Sequence, residues 1–207
     1  MNLLDIETIE LLSAAASPRP LFVLLHDEGG VAADMLVMGN LLGDAFAEAA
    51  VLIPEGLVGP LGRGNGHGSL STRVETLAAY LRSQQKRFDV LQSDTALVGF
   101  GAGATLALAF SDAHDGLAGR VLAFGGSYQV WPDKAPALTT LHLLHGQNDP
   151  VVPVSIARQG FDLLMALNAD ATLDVAASVG HELHPALMDQ AVTRLQTCVP
   201  LRHWRAV

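Results

Sequence analysis

Three short segments hold the residues best suited to chemistry. Gly99-Phe100-Gly101-Ala102-Gly103 sets two glycines around one residue, directly after an apolar run. That is the layout of a tight strand-to-helix turn, G-x-S-x-G, which exposes a serine nucleophile at its centre. Here the centre is Gly101, which has no side chain. Gly146-Gln147-Asn148-Asp149-Pro150 puts a carboxylate in a turn after another apolar run, where it can orient an imidazole. His181 follows Gly180, 32 residues beyond Asp149 and just ahead of the last helical stretch. Elbow, acid and histidine come in the chain order of a nucleophile–acid–base hydrolase. Glycine cannot attack an acyl carbon. Asp149 and His181 are then left as orienter and general base, able to act on a water in the space the missing side chain leaves.

These residues need elements to hold them. Leu21–Leu25, Ala50–Ile53, Thr95–Phe100, Arg120–Phe124 and Leu141–His145 are short apolar runs bounded by turn residues, as buried parallel strands are. Thr172–Ala176 alternates, as at a sheet edge. Helical spacing runs from Ser71 to Gln85, through Val74, Leu77, Ala78 and Leu81. Ala102–Phe110, Ser155–Leu167 and Pro185–Cys198 are further helices. The alternation predicts an α/β fold: one domain over residues 1–207, a mostly parallel sheet, helices on both faces, and a site at the strands' carboxyl ends. The glycine-rich stretch Pro60–Gly68 reads equally as a flap near the site or a solvated linker.

Composition narrows the classes. Of 207 residues half are hydrophobic and 16% charged, enough apolar material for a sizeable core. The formal charge of −9 offers no basic surface, so neither nucleic acid nor an anionic membrane is an expected partner. Cys198 is the single cysteine, which excludes an intrachain disulfide and a thiolate metal cluster. Asp5, Glu7 and Glu10 precede the first basic residue, Arg19, so the start does not read as a secretory signal. No apolar run approaches the ~20 residues that span a bilayer. The expectation is a cytoplasmic protein.

From Leu21 to about Leu201 the chain resembles the small bacterial carboxylesterase/phospholipase branch of the α/β-hydrolases. The carrying segments are Leu24-Leu25-His26, Leu97-Val98-Gly99-Phe100 with Gly103, His145-Gly146-Gln147-Asn148-Asp149-Pro150-Val151, and Gly180-His181-Glu182. The resemblance implies a minimal α/β-hydrolase fold without a large lid, and hydrolysis of carboxylic esters or thioesters. It puts the acid on Asp149, the base on His181 and the serine on Gly101. It puts the oxyanion-binding backbone N–H groups on Glu28 and Ala102. Two further departures accompany Gly101: the loop after the first core strand begins His26-Asp27 rather than His-Gly, and Ala102 replaces the family's usual glutamine-type residue.

Two functional classes follow. One is a hydrolase of small esters or thioesters, weak or working through a water held by the His181–Asp149 dyad. The other is a pseudoenzyme that binds an acyl-type ligand or a protein partner in the old pocket. Ser127 and Ser178 are the substitute nucleophiles to weigh, but neither lies on an elbow. A metal would need His26-Asp27-Glu28 to meet His181 and His184. No recognised ligand spacing is present, and neither a metal nor an organic cofactor is expected. His26 reads as a structural residue under the oxyanion loop, Cys198 as a core residue, and His184 as a surface or first-turn residue. Asp27 and Glu28 read as a solvated pair at the mouth that disfavours anionic substrates. A homo-oligomer stays open, with Val151-Val152 fitting either core or interface.

Overall fold

The computed structural model describes residues 6–15, 17–58 and 69–200. Pro60–Gly68, read above as a flap or linker, lies outside them. Among the described residues seven strands form one sheet: β1 (Thr8–Leu12), β2 (Leu21–Leu25), β3 (Ala50–Pro54), β4 (Thr95–Phe100), β5 (Arg120–Phe124), β6 (Thr140–Gly146) and β7 (Ala171–Ala176). Their spatial order is β1-β3-β2-β4-β5-β6-β7. Of these strands only β1 runs antiparallel, pairing Ile9 with Ile53 and Leu11 with Val51. Every residue of β2, β3 and β6 is buried, because helices cover both faces there. The β7 edge is half-buried along its whole length.

Among the described residues five α-helices cover the sheet: α1 (Leu36–Ala45), α2 (Leu70–Phe88), α3 (Ala102–Ala113), α4 (Val154–Ala166) and α5 (Pro185–Thr197). Helices α2, α3 and α4 pack on one face, through Leu77, Leu81, Leu106, Phe110 and Leu164. The other face is covered by α1 and α5, through Met38, Leu42, Leu187 and Met188. Helix ends follow local chemistry. The Ser69 hydroxyl accepts the Thr72 N–H at the start of α2, whose last turn carries Lys86 and Arg87 where the helix dipole favours cations. Pro185 opens α5 at a position that needs no N–H donor, and the His184 ring caps it by accepting the Ala186 N–H.

The strands and helices read from the sequence lie within a few residues of those observed. Strand β1 and helix α1 are additions. In β1 the inward pair Ile9 and Leu11 alternates with polar Thr8 and Glu10, and Glu10 pairs with Arg87 of α2. Helix α1 carries Gly39 and Gly43, which lower helix propensity and mask its period. No lid domain is inserted among the described residues, and none of their helices is long and apolar enough to cross a membrane.

Candidate active site

The loops after β2, β4, β5, β6 and β7 converge at one end of the sheet, and the elbow is the tightest of them. Gly101 has φ 54° and ψ −114°, a left-handed backbone that glycine accepts at little cost. Its N–H donates to the Phe124 carbonyl at 2.9 Å and its carbonyl accepts the Thr105 N–H at 3.0 Å, so it joins β4 to α3 without slack. A Cβ on Gly99 would strike the backbone of Gly103 and Ala104, and one on Gly103 would strike the carbonyls of Leu25 and His26. Both flanking glycines are thus required by close packing.

Asp149 sits in the turn after β6 with its side chain fully buried. Its Oδ1 accepts the N–H groups of Val151 and Val152, both at 2.8 Å. Its Oδ2 takes the His181 Nδ1 hydrogen at 2.7 Å and lies 3.5 Å from His145 Nε2. Burial alone would raise the carboxyl's pKa. The bonds from His181, Val152 and Val151 outweigh it and hold the group below the usual carboxylate range. Phe100 lies against the His181 ring at 4.8 Å between centroids. Gly125, after β5, leaves room for the pair: a Cβ there would sit 3.2 Å from the ring and 3.3 Å from Asp149 Oδ2. From the sequence, Phe100 is part of the elbow segment with no site role assigned, and Gly125 is assigned none either. The signal for Gly125 lay in Gly125-Gly126 directly after a core strand.

Asp27 departs most from the sequence reading. It is not a solvated mouth residue; its carboxylate enters the site. Oδ1 accepts the N–H of Glu28 and the N–H of Ala102, each at 2.7 Å. These are the two donors that the resemblance assigns to an oxyanion. Oδ2 lies 3.3 Å from His181 Nε2. A Cβ on Gly101 would land on this same carboxylate. The side chain that Gly101 lacks is therefore replaced in space by Asp27, with 31% of its side chain exposed against 11% for His181.

The loop around Asp27 is stapled in place. The Asp27 carbonyl accepts from His26 Nδ1 at 2.8 Å and from the Gly30 N–H at 3.2 Å. His26 is buried under the loop, as expected, with Nε2 3.5 Å from Glu55 Oε1. Glu55 Oε2 in turn accepts the Ala32 N–H at 2.7 Å. Both nitrogens of His181 face carboxylate oxygens, which only accept, so both contacts together use a ring that donates from each side. Neither nitrogen is left for a serine. The Ser127 N–H is held on the Thr105 hydroxyl, and Ser178 occupies a left-handed turn. Cys198 is half-buried at the end of α5. Among the described residues no three His, Cys, Asp or Glu side chains are grouped to hold a metal ion.

A profile of the family described as Phospholipase/Carboxylesterase matches residues 67–199. The esterase YpfH of Escherichia coli (strain K12) is 31% identical over 199 residues, which cover 90% of this chain and 86% of that protein. Among solved structures, the esterase PE8 superposes with a TM-score of 0.82 at 24% identity, covering 94% of this chain and 99% of its own. The carboxylesterase of Bacillus cereus superposes at 0.78 and 19% identity, covering 96% of this chain and all of its own.

Proposed function

We propose, from the premise that this chain belongs to the phospholipase/carboxylesterase family of α/β-hydrolases, that its site keeps the Asp149–His181 pair but does not run as a serine esterase. One observation carries this reading: the Asp27 carboxylate fills both the place of the nucleophile at Gly101 and the two N–H donors at Glu28 and Ala102. A serine hydrolase needs an oxygen against the histidine and empty donors for the acyl oxyanion. Here one anion takes both places. An ester carbonyl approaching the donors meets a full negative charge already bound there.

The same carboxylate weighs against a water-activating dyad acting directly on esters. The space for that water, and the donors that would stabilise its tetrahedral product, are taken. The family's substrates, small carboxylic esters or thioesters, thus mark the ancestry of the pocket rather than its present turnover.

The test pairs a fluorophosphonate probe, which labels activated serines, with hydrolysis of p-nitrophenyl butyrate. The expected result is no probe label and no ester hydrolysis above that of a His181→Ala variant. Labelling of any serine, Ser127 and Ser178 included, would overturn the reading. So would ester turnover abolished by His181→Ala.

A further inference from the structure

We propose that Asp27 is itself a nucleophile, and that this site moves alkyl groups from primary alkyl halides or epoxides to water through an ester on Asp27. The inference rests on the reading that position 101 supplies no nucleophile. It starts from the two ends of one carboxylate. Oδ1 is bound by the Glu28 and Ala102 N–H groups at 2.7 Å, while Oδ2 points at His181 Nε2 across 3.3 Å on a side chain that is 31% exposed. Carboxylates act as nucleophiles where a neighbouring group can later free the ester they form.

The occupied donors decide the substrate class. An acyl substrate must put its own carbonyl oxygen between Glu28 and Ala102, and Asp27 blocks it. Attack on a saturated carbon builds no oxyanion on the substrate and needs no such donor. The Oδ2 lone pair forms a bond to the carbon, and the carbon–halogen bond breaks with its pair leaving as halide. With an epoxide the ring carbon–oxygen bond breaks instead, and the alkoxide takes the proton on His181 Nε2. The product in either case is an alkyl ester of Asp27, whose carbonyl oxygen is Oδ1.

That ester is already seated for hydrolysis. Esterification removes the charge from Oδ2, so His181 Nε2 no longer faces an anion. Its proton has gone to the alkoxide in the epoxide route and goes to solvent in the halide route, to be regained when Asp27 is freed, and the neutral ring accepts a proton from water. Asp149 Oδ2 holds Nδ1–H at 2.7 Å and keeps the ring oriented for it. The water oxygen adds to Cγ of Asp27, and the negative charge collects on Oδ1, where the two N–H donors and the start of α3 already point. Collapse breaks the Cγ–Oδ2 bond. The alcohol leaves carrying the old Oδ2 and a proton from His181, and the added oxygen, after losing its proton to solvent, becomes part of Asp27. Overall an alkyl halide and water give an alcohol, a halide ion and a proton. An epoxide and water give a diol.

The experiment uses the full chain with 1-bromohexane and 1,2-epoxyhexane as probes. The unaltered protein is expected to release bromide and form the diol, and Asp27→Asn to fall to the uncatalysed background while melting as a folded protein. His181→Gln is expected to accumulate a hexyl ester on the peptide that contains Asp27. If that variant fails to fold, one turnover of the unaltered protein in oxygen-18 water decides, with label expected in the Asp27 carboxylate rather than in the alcohol. The proposal is overturned if bromide release is unchanged in Asp27→Asn, if the label goes straight into the alcohol, or if neither turnover nor adduct appears. Failure of the underlying reading is separate, since only that failure produces a fluorophosphonate-labelled serine.

Discussion

Asp27 and Gly101 occupy one space, so they are expected to behave as a coupled pair. Consider Gly101→Ser alone. A side chain at φ 54° costs about 1–3 kcal/mol in backbone strain. Its Cβ must also evict the Asp27 carboxylate from two charge-assisted N–H bonds. Such bonds contribute about 1.5–3 kcal/mol each when buried. Asp27 is 31% exposed and water takes up the freed charge, which brings the net loss down to about 1–2 kcal/mol. The single variant is thus expected to lose about 2–5 kcal/mol. In an Asp27→Gly background only the backbone cost of about 1–3 kcal/mol remains. The assay is a four-cornered cycle of thermal or urea melts, with p-nitrophenyl butyrate hydrolysis read at each corner. At this chain length each kcal/mol moves Tm by about 2–4 °C, so a coupling of about 1–2 kcal/mol is resolvable. Ester hydrolysis dependent on His181 is expected only in the double variant. Additivity within about 0.5 kcal/mol, or equal hydrolysis by Gly101→Ser alone, would refute the shared-space argument.

Three further outcomes are expected. Burial, then the charges of Arg120 and Arg194, pushes His142 down to about 4 from an ordinary 6.5. The folded state therefore binds fewer protons than the unfolded chain between those values, and stability falls by about 3 kcal/mol as pH drops from 6.5 to 4. Urea melts across that range should show the slope, and His142→Gln should flatten it. Asp112 runs the other way: burial, then Asp133, raises it to about 7, and its Oδ1 is buried without a hydrogen-bond partner. Its contribution is full below about 4 and is lost as pH climbs to 7, so Asp112→Asn should raise Tm at pH 8 and leave it nearly unchanged at pH 4. Gly125→Ala adds a Cβ at φ 59°, 3.2 Å from the His181 ring. It should displace the ring from Asp149, seen as loss of the low-field Nδ1 proton resonance, with a stability cost of only about 1–3 kcal/mol.

The sheet was legible because its signal is physical and local. Strands covered on both faces must be apolar throughout, and β2, β3, β4, β5 and β6 are nearly so. The amphipathic stripe of α2 and the Pro185 start of α5 were equally plain. Strand β1 has only five residues, and its alternation is short enough to pass as a loop. Helix α1 was hidden by Gly39, which is present because Leu11 and Ile53 crowd its Cβ position at 3.1 and 3.3 Å. There, tertiary packing overrode local propensity.

The site was legible only along the lines where chain order carries the chemistry. Elbow, acid and histidine follow one another in a sequence, and the structure brings Asp149 and His181 together at 2.7 Å. Asp27 is different: its bond to the neighbouring Glu28 N–H is local, but the contacts that carry its carboxylate into the site are remote in sequence. Its second donor, the Ala102 N–H, is 75 residues away, and its facing nitrogen on His181 is 154 residues away. Read alone, Asp27 is a polar residue in a loop and Gly101 is a missing serine. Read together, each accounts for the other: a carboxylate at the donors leaves no room for a Cβ at the elbow, and a glycine at the elbow leaves two N–H groups and an imidazole without an anion. Gly101 and Asp27 are in physical terms one feature, because a Cβ at position 101 would land on the Asp27 carboxylate, and a variant at either position reports on the other.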